Sequence, residues 1–347
     1  MADIDRFRPE DRRGVETLYR RTYGPDAADA TRLRWDWQHR RNPNNPTGQP
    51  DIWVAREGPT VVGHYPTLPV RLSLQGLEVD GAWGADALVA PERDAQGVGE
   101  ALLRHWDRNA GAALALGVSP ESRQLLERMH WPEPHLVPCF VKPLTRRAVR
   151  SPGWPLLINR LVSALTLPVV RIVSRSRPLR AECEPIPRFD AAFTGLWERL
   201  APQFSLAVRR DAAYLNWRYV EPPHVRYSIV ALKREGEVHG YAVYRHRTEP
   251  LGRVTMLVDF LVAPDDVSGL KTLLRWVDRE ARAEDTDKVR CYATHGTFRR
   301  ILRRNGYFHV KSTLDVAVKV NAVQVPKGFY EQTDGWHITY GDSDQDH

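Results

Sequence analysis

Two glycines, set after a strand and at the opening of a helix, are the residues of this chain with the clearest chemical use. The run Gln96-Gly97-Val98-Gly99 begins a helix whose apolar face is Ala101, Leu102, Leu103 and Trp106. Without Cβ atoms, the backbone N–H groups of such a turn can approach a phosphate, and the helix N-terminus adds its partial positive charge. A bare GxG also serves any tight strand-to-helix turn, so the pair does not name a ligand by itself. Asp86 is the one carboxylate on the strand just before this turn. It could take a proton from an attacking amine or hydroxyl, directly or through water. Alternation sets it on the opposite face from Ala87 and Val89, and a local cap or ion pair is an equal reading. Glu78 and Asp80, near the preceding strand, are weaker candidates for the same task.

Other chemistries lack their residues. The 12 histidines show no HxxxH, HExxH or Cys/His spacing, so no metal is expected. There is no GxSxG, no GxxxxGK[ST], and no base that sequence can place beside Cys139 or Cys291. Isolated histidines such as His64 and His239 read as surface residues of hairpins.

The elements that must position the glycines occur twice. Leu88-Val89-Ala90-Pro91-Glu92 recurs as Leu261-Val262-Ala263-Pro264-Asp265, 173 residues later in a chain of 347. Leu102-Leu103-Arg104 recurs as Leu273-Leu274-Arg275, now at an offset of 171. The second copy has lost two residues where the first carries its glycine turn. Asp259 repeats Asp86 at the 173 offset. Each half reads as an amphipathic helix (Glu10 to Tyr23; Ala191 to Leu200), hairpin strands, a strand ending in Leu-Val-Ala-Pro, and a helix. A short strand (Ala112 to Val118; Lys288 to Ala293) and a last helix (Pro120 to Met129; Thr297 to Arg304) complete it.

Charge is also local. The net charge of +7 would suit an acidic partner, but residues 143–181 hold eight arginines and no acid, leaving −1 for the rest. The excess belongs to a junction, which weakens a general nucleic-acid reading. With Arg160 and Pro168 inside it, this stretch is a poor transmembrane helix. Two readings stand for 146–180, a packed strut, slightly ahead, and an anionic membrane surface. Three cysteines without CxxC spacing and a charged N-terminus place the protein in the cytoplasm, with a peripheral position at the inner membrane face as the variant.

Val89-Ala90-Pro91 followed by Gly97 and Gly99 resembles the GCN5-related N-acetyltransferase (GNAT) superfamily. Its pattern is V-x-P, then [Q/R]-x-x-G-x-[G/A]. Asp94 stands at the Gln/Arg position, so Arg93 is the cation nearest to it. On the later helix Ser119, Ser122, Leu126, His130 and Trp131 fall on the family's Asn, Ala, Tyr, Gly and Phe. In the second half His295, Phe298, Leu302, Gly306 and Tyr307 do so. The usual proton-donating tyrosine is thus Leu126, and Leu302 in the other copy.

The resemblance implies an α/β (α+β) chain of two tandem GNAT-like domains, each a mixed, mostly antiparallel twisted sheet flanked by helices. The expected divisions are 1–142, an Arg-rich linker 143–181, a degenerate second domain 182–330 and a polar tail 331–347. It also implies acetyl-CoA or another acyl-CoA in the first domain, on Leu88, Val89, Ala90, Arg93, Gln96, Gly97, Val98, Gly99, Ser119 and Ser122. The acyl group would pass directly to an amine or hydroxyl of a small-molecule or sugar acceptor, with Asp86 as base. Trp35 and Trp37, loosely paralleled by Trp217, are the expected acceptor-site wall, although each alone suits a core anchor better. An aminoacyl-tRNA-dependent Fem-like transferase and a non-catalytic CoA-binding pseudo-enzyme are the alternatives. Oligomeric state is not legible.

Overall fold

The computed structural model describes residues 2–45, 47–85, 87–94, 97–149, 164–165, 167–168, 170 and 182–346. Two sheets carry the chain. In the first, the order is β1 (Asp3–Arg6), β2 (Ile52–Glu57), β3 (Thr60–Leu74), β4 (Leu77–Gly84), β6 (Ala112–Leu116), β16 (Asp315–Val320) and β7 (His135–Leu136). Against β3 also lie β5 (Leu88–Val89) and β10 (Leu206–Val208), and β10 pairs with β17 (Trp336–His337). The second sheet runs β15 (Phe308–Val310), β8 (Cys139–Pro143), β14 (Lys288–Tyr292), β13 (Gly252–Val262), β12 (Glu237–Glu249), β11 (Ser228–Arg234), β9 (Glu182–Pro185).

Helices cover both sheets: α1 (Arg12–Tyr23), α2 (Pro25–Trp35), α3 (Val98–Asn109) and α4 (Pro120–Arg128) in the first half, α5 (Ala191–Leu200), α6 (Ala212–Tyr219), α7 (Val267–Ala283) and α8 (Gly296–Arg304) in the second. Apolar residues at helical spacing decide which face is buried. Leu102, Leu103 and Trp106 of α3 pack on Trp53, Tyr65 and Ala113 of the sheet. Val15, Leu18 and Tyr19 of α1 pack on the opposite face with Val54, Val61 and Leu88. Among the described residues no helix is long and apolar enough to cross a membrane.

The duplicated plan expected from the 173-residue offset is present, and the two halves exchange strands. β8 leaves the first half to pair antiparallel with β14, Cys139 opposite Tyr292. β16 returns from the second half to pair antiparallel with β6, Val316 opposite Leu116. Boundaries at 142 and 330 therefore do not divide the sheets. The expected polar tail is likewise a structural segment, because Trp336, Ile338, Thr339, Asp342 and Asp346 are all buried. Sequence periodicity reports that a strand has an apolar face, not which sheet receives it. Of the arginine-rich stretch, most lies outside the described residues, and so do both readings made for it.

Trp37 and Trp217 join the halves. Their rings stack 5.2 Å apart at 18°. The Trp37 indole N–H donates to the Trp217 carbonyl at 2.6 Å, and that of Trp217 donates to the Trp37 carbonyl at 2.8 Å. Both side chains are buried, so every polar atom of the pair needs this reciprocity. Trp217→Phe keeps an aromatic ring but leaves the Trp37 carbonyl without its donor. Urea unfolding is expected to show a loss of about 1–3 kcal/mol.

Candidate active site

β4 and β6 run parallel for three registered pairs, Ala82 with Ala113, Trp83 with Leu114 and Gly84 with Ala115. There the described pairing stops. The chain turns away, and Leu88 and Val89 pair instead with His64 and Gly63 of β3. A wedge opens between the two strands. It belongs to a cleft of about 710 Å³, with Ala85, Ala87 and Val89 on one lip and Leu116, Gly117 and Ser119 on the other. Small residues keep it open, and a Cβ at Gly84 would collide with the Tyr65 hydroxyl.

The cleft reaches both faces of the sheet, because alternation on β3 divides its walls. Tyr65 points to the α3 side, its ring 5.1 Å from that of Trp106, and a Cβ at Gly63 would meet Leu102 on that side. His64 points to the α1 side, its ring 5.0 Å from Tyr19. Tyr23 and His64 line the cleft from there, and Tyr65, Leu102, Leu103, Trp106 and Leu126 line it from the α3 and α4 side. Burial first, and then the charges of Asp344 and Asp107, push the Tyr65 phenol up, so it stays protonated.

At the mouth stands the N-terminus of α3. Its capping residue, Gly97, has φ +74°, in the left-handed region that glycine tolerates, and among the described residues no side chain caps the helix. Gly97 and Gly99 both face the cleft. The matching helix of the second half differs. Asp266 caps α7, accepting from the Gly269 N–H at 2.9 Å and pairing with Arg234 at 2.8 Å. That carboxylate takes the place in which an anion would sit.

The second wedge is filled by the chain itself. β13 and β14 pair in parallel as far as Leu257 and Cys291, and the segment 336–339 enters beyond them. The Thr294 N–H donates to the Ile338 carbonyl at 3.3 Å and its hydroxyl to the Trp336 carbonyl at 2.6 Å, while the Ile338 N–H returns a bond to the Thr294 hydroxyl at 2.9 Å. His337, fully buried, stacks on Phe204 at 4.9 Å and lies 2.8 Å from the Phe260 carbonyl. Asp259, the counterpart of Asp86, receives Arg210, the Tyr241 hydroxyl at 2.8 Å and the Thr339 hydroxyl at 3.1 Å. Arg210 also binds Asp342 at 2.8 Å. Asp259 is therefore part of a buried network that holds the tail.

From this anchorage the tail runs on to the first cleft. Arg218 donates to the Gly341 carbonyl at 2.7 Å and to that of Ser343, and Arg245 pairs with Asp346 at 2.6 Å. Between these holds, Asp344 lines the first cleft.

The residues expected from sequence separate into four groups. Val89, Gly97, Gly99, Ser119 and Ser122 line the cleft, with the Ser119 hydroxyl capping α4 by accepting from the Ser122 N–H at 3.1 Å. Leu88, Ala90 and Val98 are buried supports behind it, and Arg93 pairs with Glu57 at 2.7 Å. Asp86 and Gln96 lie outside the described residues. The aromatic wall is corrected: Trp35 is buried against Phe7 and His39, Trp37 and Trp217 bind each other, and none of the three lines the cleft. His64 is corrected too, from hairpin surface to a wall residue with 1% exposure. Sequence reasoning missed Tyr65, Trp106 and Asp344 as cleft residues. An odd aromatic in a half-buried strand was a usable signal for Tyr65; nothing local marks Asp344.

Residues 3–131 match the model of the acetyltransferase (GNAT) domain. Three solved structures are similar in fold over most of the chain. A GCN5-related N-acetyltransferase from Anabaena variabilis ATCC 29413 has a TM-score of 0.63 at 11% identity, covering 92% of this chain and 73% of that one. A probable N-acyltransferase from Enterococcus faecalis V583 has 0.64 at 8%, covering 93% and 73%. The N-myristoyltransferase of Saccharomyces cerevisiae, solved with bound myristoyl-CoA, has 0.57 at 14%, covering 92% and 79%. No curated protein matches the sequence. The match to an acetyltransferase (GNAT) domain thus falls on the first lobe, and the chain as a whole shares the two-lobed fold of these structures.

Two buried histidines on the α1 side set a pH response. Burial holds His64 down at about 3; burial, then His64 and Arg34, hold His39 at about 3. An unfolded chain takes up these protons near 6.5, so the unfolded state binds more of them between 6.5 and 3. Stability is expected to be greatest above pH 6.5 and to fall steadily as pH is lowered toward 3. Urea midpoints across pH 7 to 4 check this, and a midpoint that holds or rises on acidification contradicts it.

Proposed function

We propose that the protein transfers an acyl group, most simply acetyl, from acyl-CoA held in the first wedge to an amine or hydroxyl of a small acceptor. The observation that carries this reading is the asymmetry of the two wedges. One is open, glycine-lipped and faced by a helix end that no side chain caps among the described residues, and its twin is filled by the chain's own tail. Acyl-CoA would enter on the α3 side, with its phosphates at Gly97 and Gly99 and its thioester in the wedge. The acceptor would approach from the α1 side, past Tyr23.

A thioester is already activated, so positioning supplies much of the rate. The nucleophile forms its bond to the acyl carbon, the C–S bond breaks, and the electron pair leaves on sulfur. The nucleophile's proton needs a base. Asp344 is the carboxylate we assign, with Asp86, which precedes the glycines in sequence, as the second candidate. Leu126 cannot protonate the departing thiolate, and that proton would have to come from another group of the cleft, whose wall carries the Tyr65 phenol.

Calorimetry with CoA is expected to give one site per chain. Gly97→Glu, which adds a negative charge and a side chain at φ +74°, should weaken binding about tenfold or more, a loss of about 1.4 kcal/mol. Asp344→Asn should leave CoA binding unchanged while slowing thiol release from acetyl-CoA roughly 10²–10⁴-fold. Absence of CoA binding to the unmodified protein overturns the reading.

A further inference from the structure

Among the described residues, the cleft wall carries a buried imidazole with no hydrogen-bond partner at either nitrogen, besides the unpartnered indole N–H of Trp106. His64 is 1% exposed, and neither ring nitrogen has a hydrogen bond. Buried imidazoles normally satisfy both nitrogens, so an orphaned pair at the wall of a ligand cleft needs an explanation. The ring stands next to the point where the wedge begins, its residue registered opposite Leu88 of the lip. It borders two spaces. One is the cleft; the other is a small void of about 10 Å³ that it shares with Thr31, Gln38 and His39. The Nδ1 of His39 is also without a partner. A polar void of this size is at the lower limit for a single water, about 10–15 Å³.

Burial alone lowers the proton affinity of His64, so the ring is neutral across the working pH range. A neutral imidazole has one N–H donor and one acceptor nitrogen. As a donor it can polarise a carbonyl without introducing a full charge.

We propose that His64 is a catalytic residue of this site, donating its N–H to the carbonyl oxygen of the bound thioester while its other nitrogen accepts from a water held in the void beside His39. Negative charge grows on that oxygen as the nucleophile attacks, and a fixed donor in a water-poor cleft stabilises it more than it stabilises the ground state. No bond to His64 forms or breaks, and its proton stays on the ring. The placement explains why a histidine is kept uncharged and unpaired in the strand that carries one lip of the wedge. It rests on the acyl-CoA reading, and the test separates the two.

The experiment compares the unmodified protein with His64→Phe and His64→Gln. Probes are CoA, acetyl-CoA and S-ethyl-CoA, a thioether without the carbonyl, and hydroxylamine serves as nucleophile. His64→Phe is expected to bind CoA as the unmodified protein does, to lose any preference for acetyl-CoA over S-ethyl-CoA, and to slow thiol release about 10²–10³-fold at saturating acetyl-CoA. His64→Gln, which keeps a donor, should recover part of that rate. In the unmodified protein the ¹⁵N resonances of His64 should shift with acetyl-CoA and not with S-ethyl-CoA, a readout that does not depend on any variant folding. Thiol release within twofold of normal in a folded His64→Phe, or ¹⁵N resonances unmoved by bound acetyl-CoA, overturns the proposal while CoA binding stands. Failure of the unmodified protein to bind CoA overturns both readings.

Discussion

Two parallel strands that start together and then diverge leave a gap in the middle of a sheet, and backbone polar groups along it must find partners. That constraint occurs twice in this protein and is met in two ways. In the second lobe the gap between β13 and β14 receives 336–339, with Thr294 exchanging hydrogen bonds along it and His337 packed among Phe204, Phe260 and Phe298. In the first lobe the gap between β4 and β6 stays open to the cleft. The protein thus leaves one gap open to a cleft and uses the other as an anchorage for its own tail.

The two helix ends diverge in the same direction. Gly97 offers α3 no side chain, whereas Asp266 closes the end of α7 with its own carboxylate and holds Arg234 as well. A bound phosphate and a capping carboxylate use the same N–H groups and the same positive end of the helix, so they exclude each other. The two-residue loss between the copies falls in this turn. The arginine–aspartate network around Arg210 completes the change. A buried guanidinium facing Asp259 and Asp342 is stable only with both partners in place, and Asp342 is supplied by the tail.

How much of this was legible varies with the range of the interaction that decides it. The Leu-Val-Ala-Pro repeat marked the duplication, and helices such as Ala191–Leu200 and strands such as Lys288–Tyr292 lie where apolar spacing set them, because local periodicity fixes them. Gly97 and Gly99 were legible for the same reason. Long-range choices were not. Whether Cys139–Pro143 completes its own sheet or the other one depends on edges that no local pattern describes. The stacking of Trp37 on Trp217 is a contact across 180 residues, so each tryptophan by itself looks like either a core anchor or a ligand wall. His64 was misread because a lone polar residue in a hairpin strand usually faces water. Here β5 and α1 cover it.

The exchange of strands also explains why the filled lobe is retained. Without β16, the first sheet would end at β6, one lip of the open wedge, and an exposed edge strand is prone to pair with whatever chain it meets. Without β8, the second sheet would lose the strand between β14 and β15. The tail binds the lobes in a third way: β10, from the second half, joins β3 to β17, and the arginines that hold 341–346 belong to the second lobe. Arg218 and Arg245 fix the chain on either side of Asp344, which lines the first cleft. The second half of the chain thus contributes the Asp344 carboxylate to the wall of the open cleft, and the first lobe does not form that wall alone.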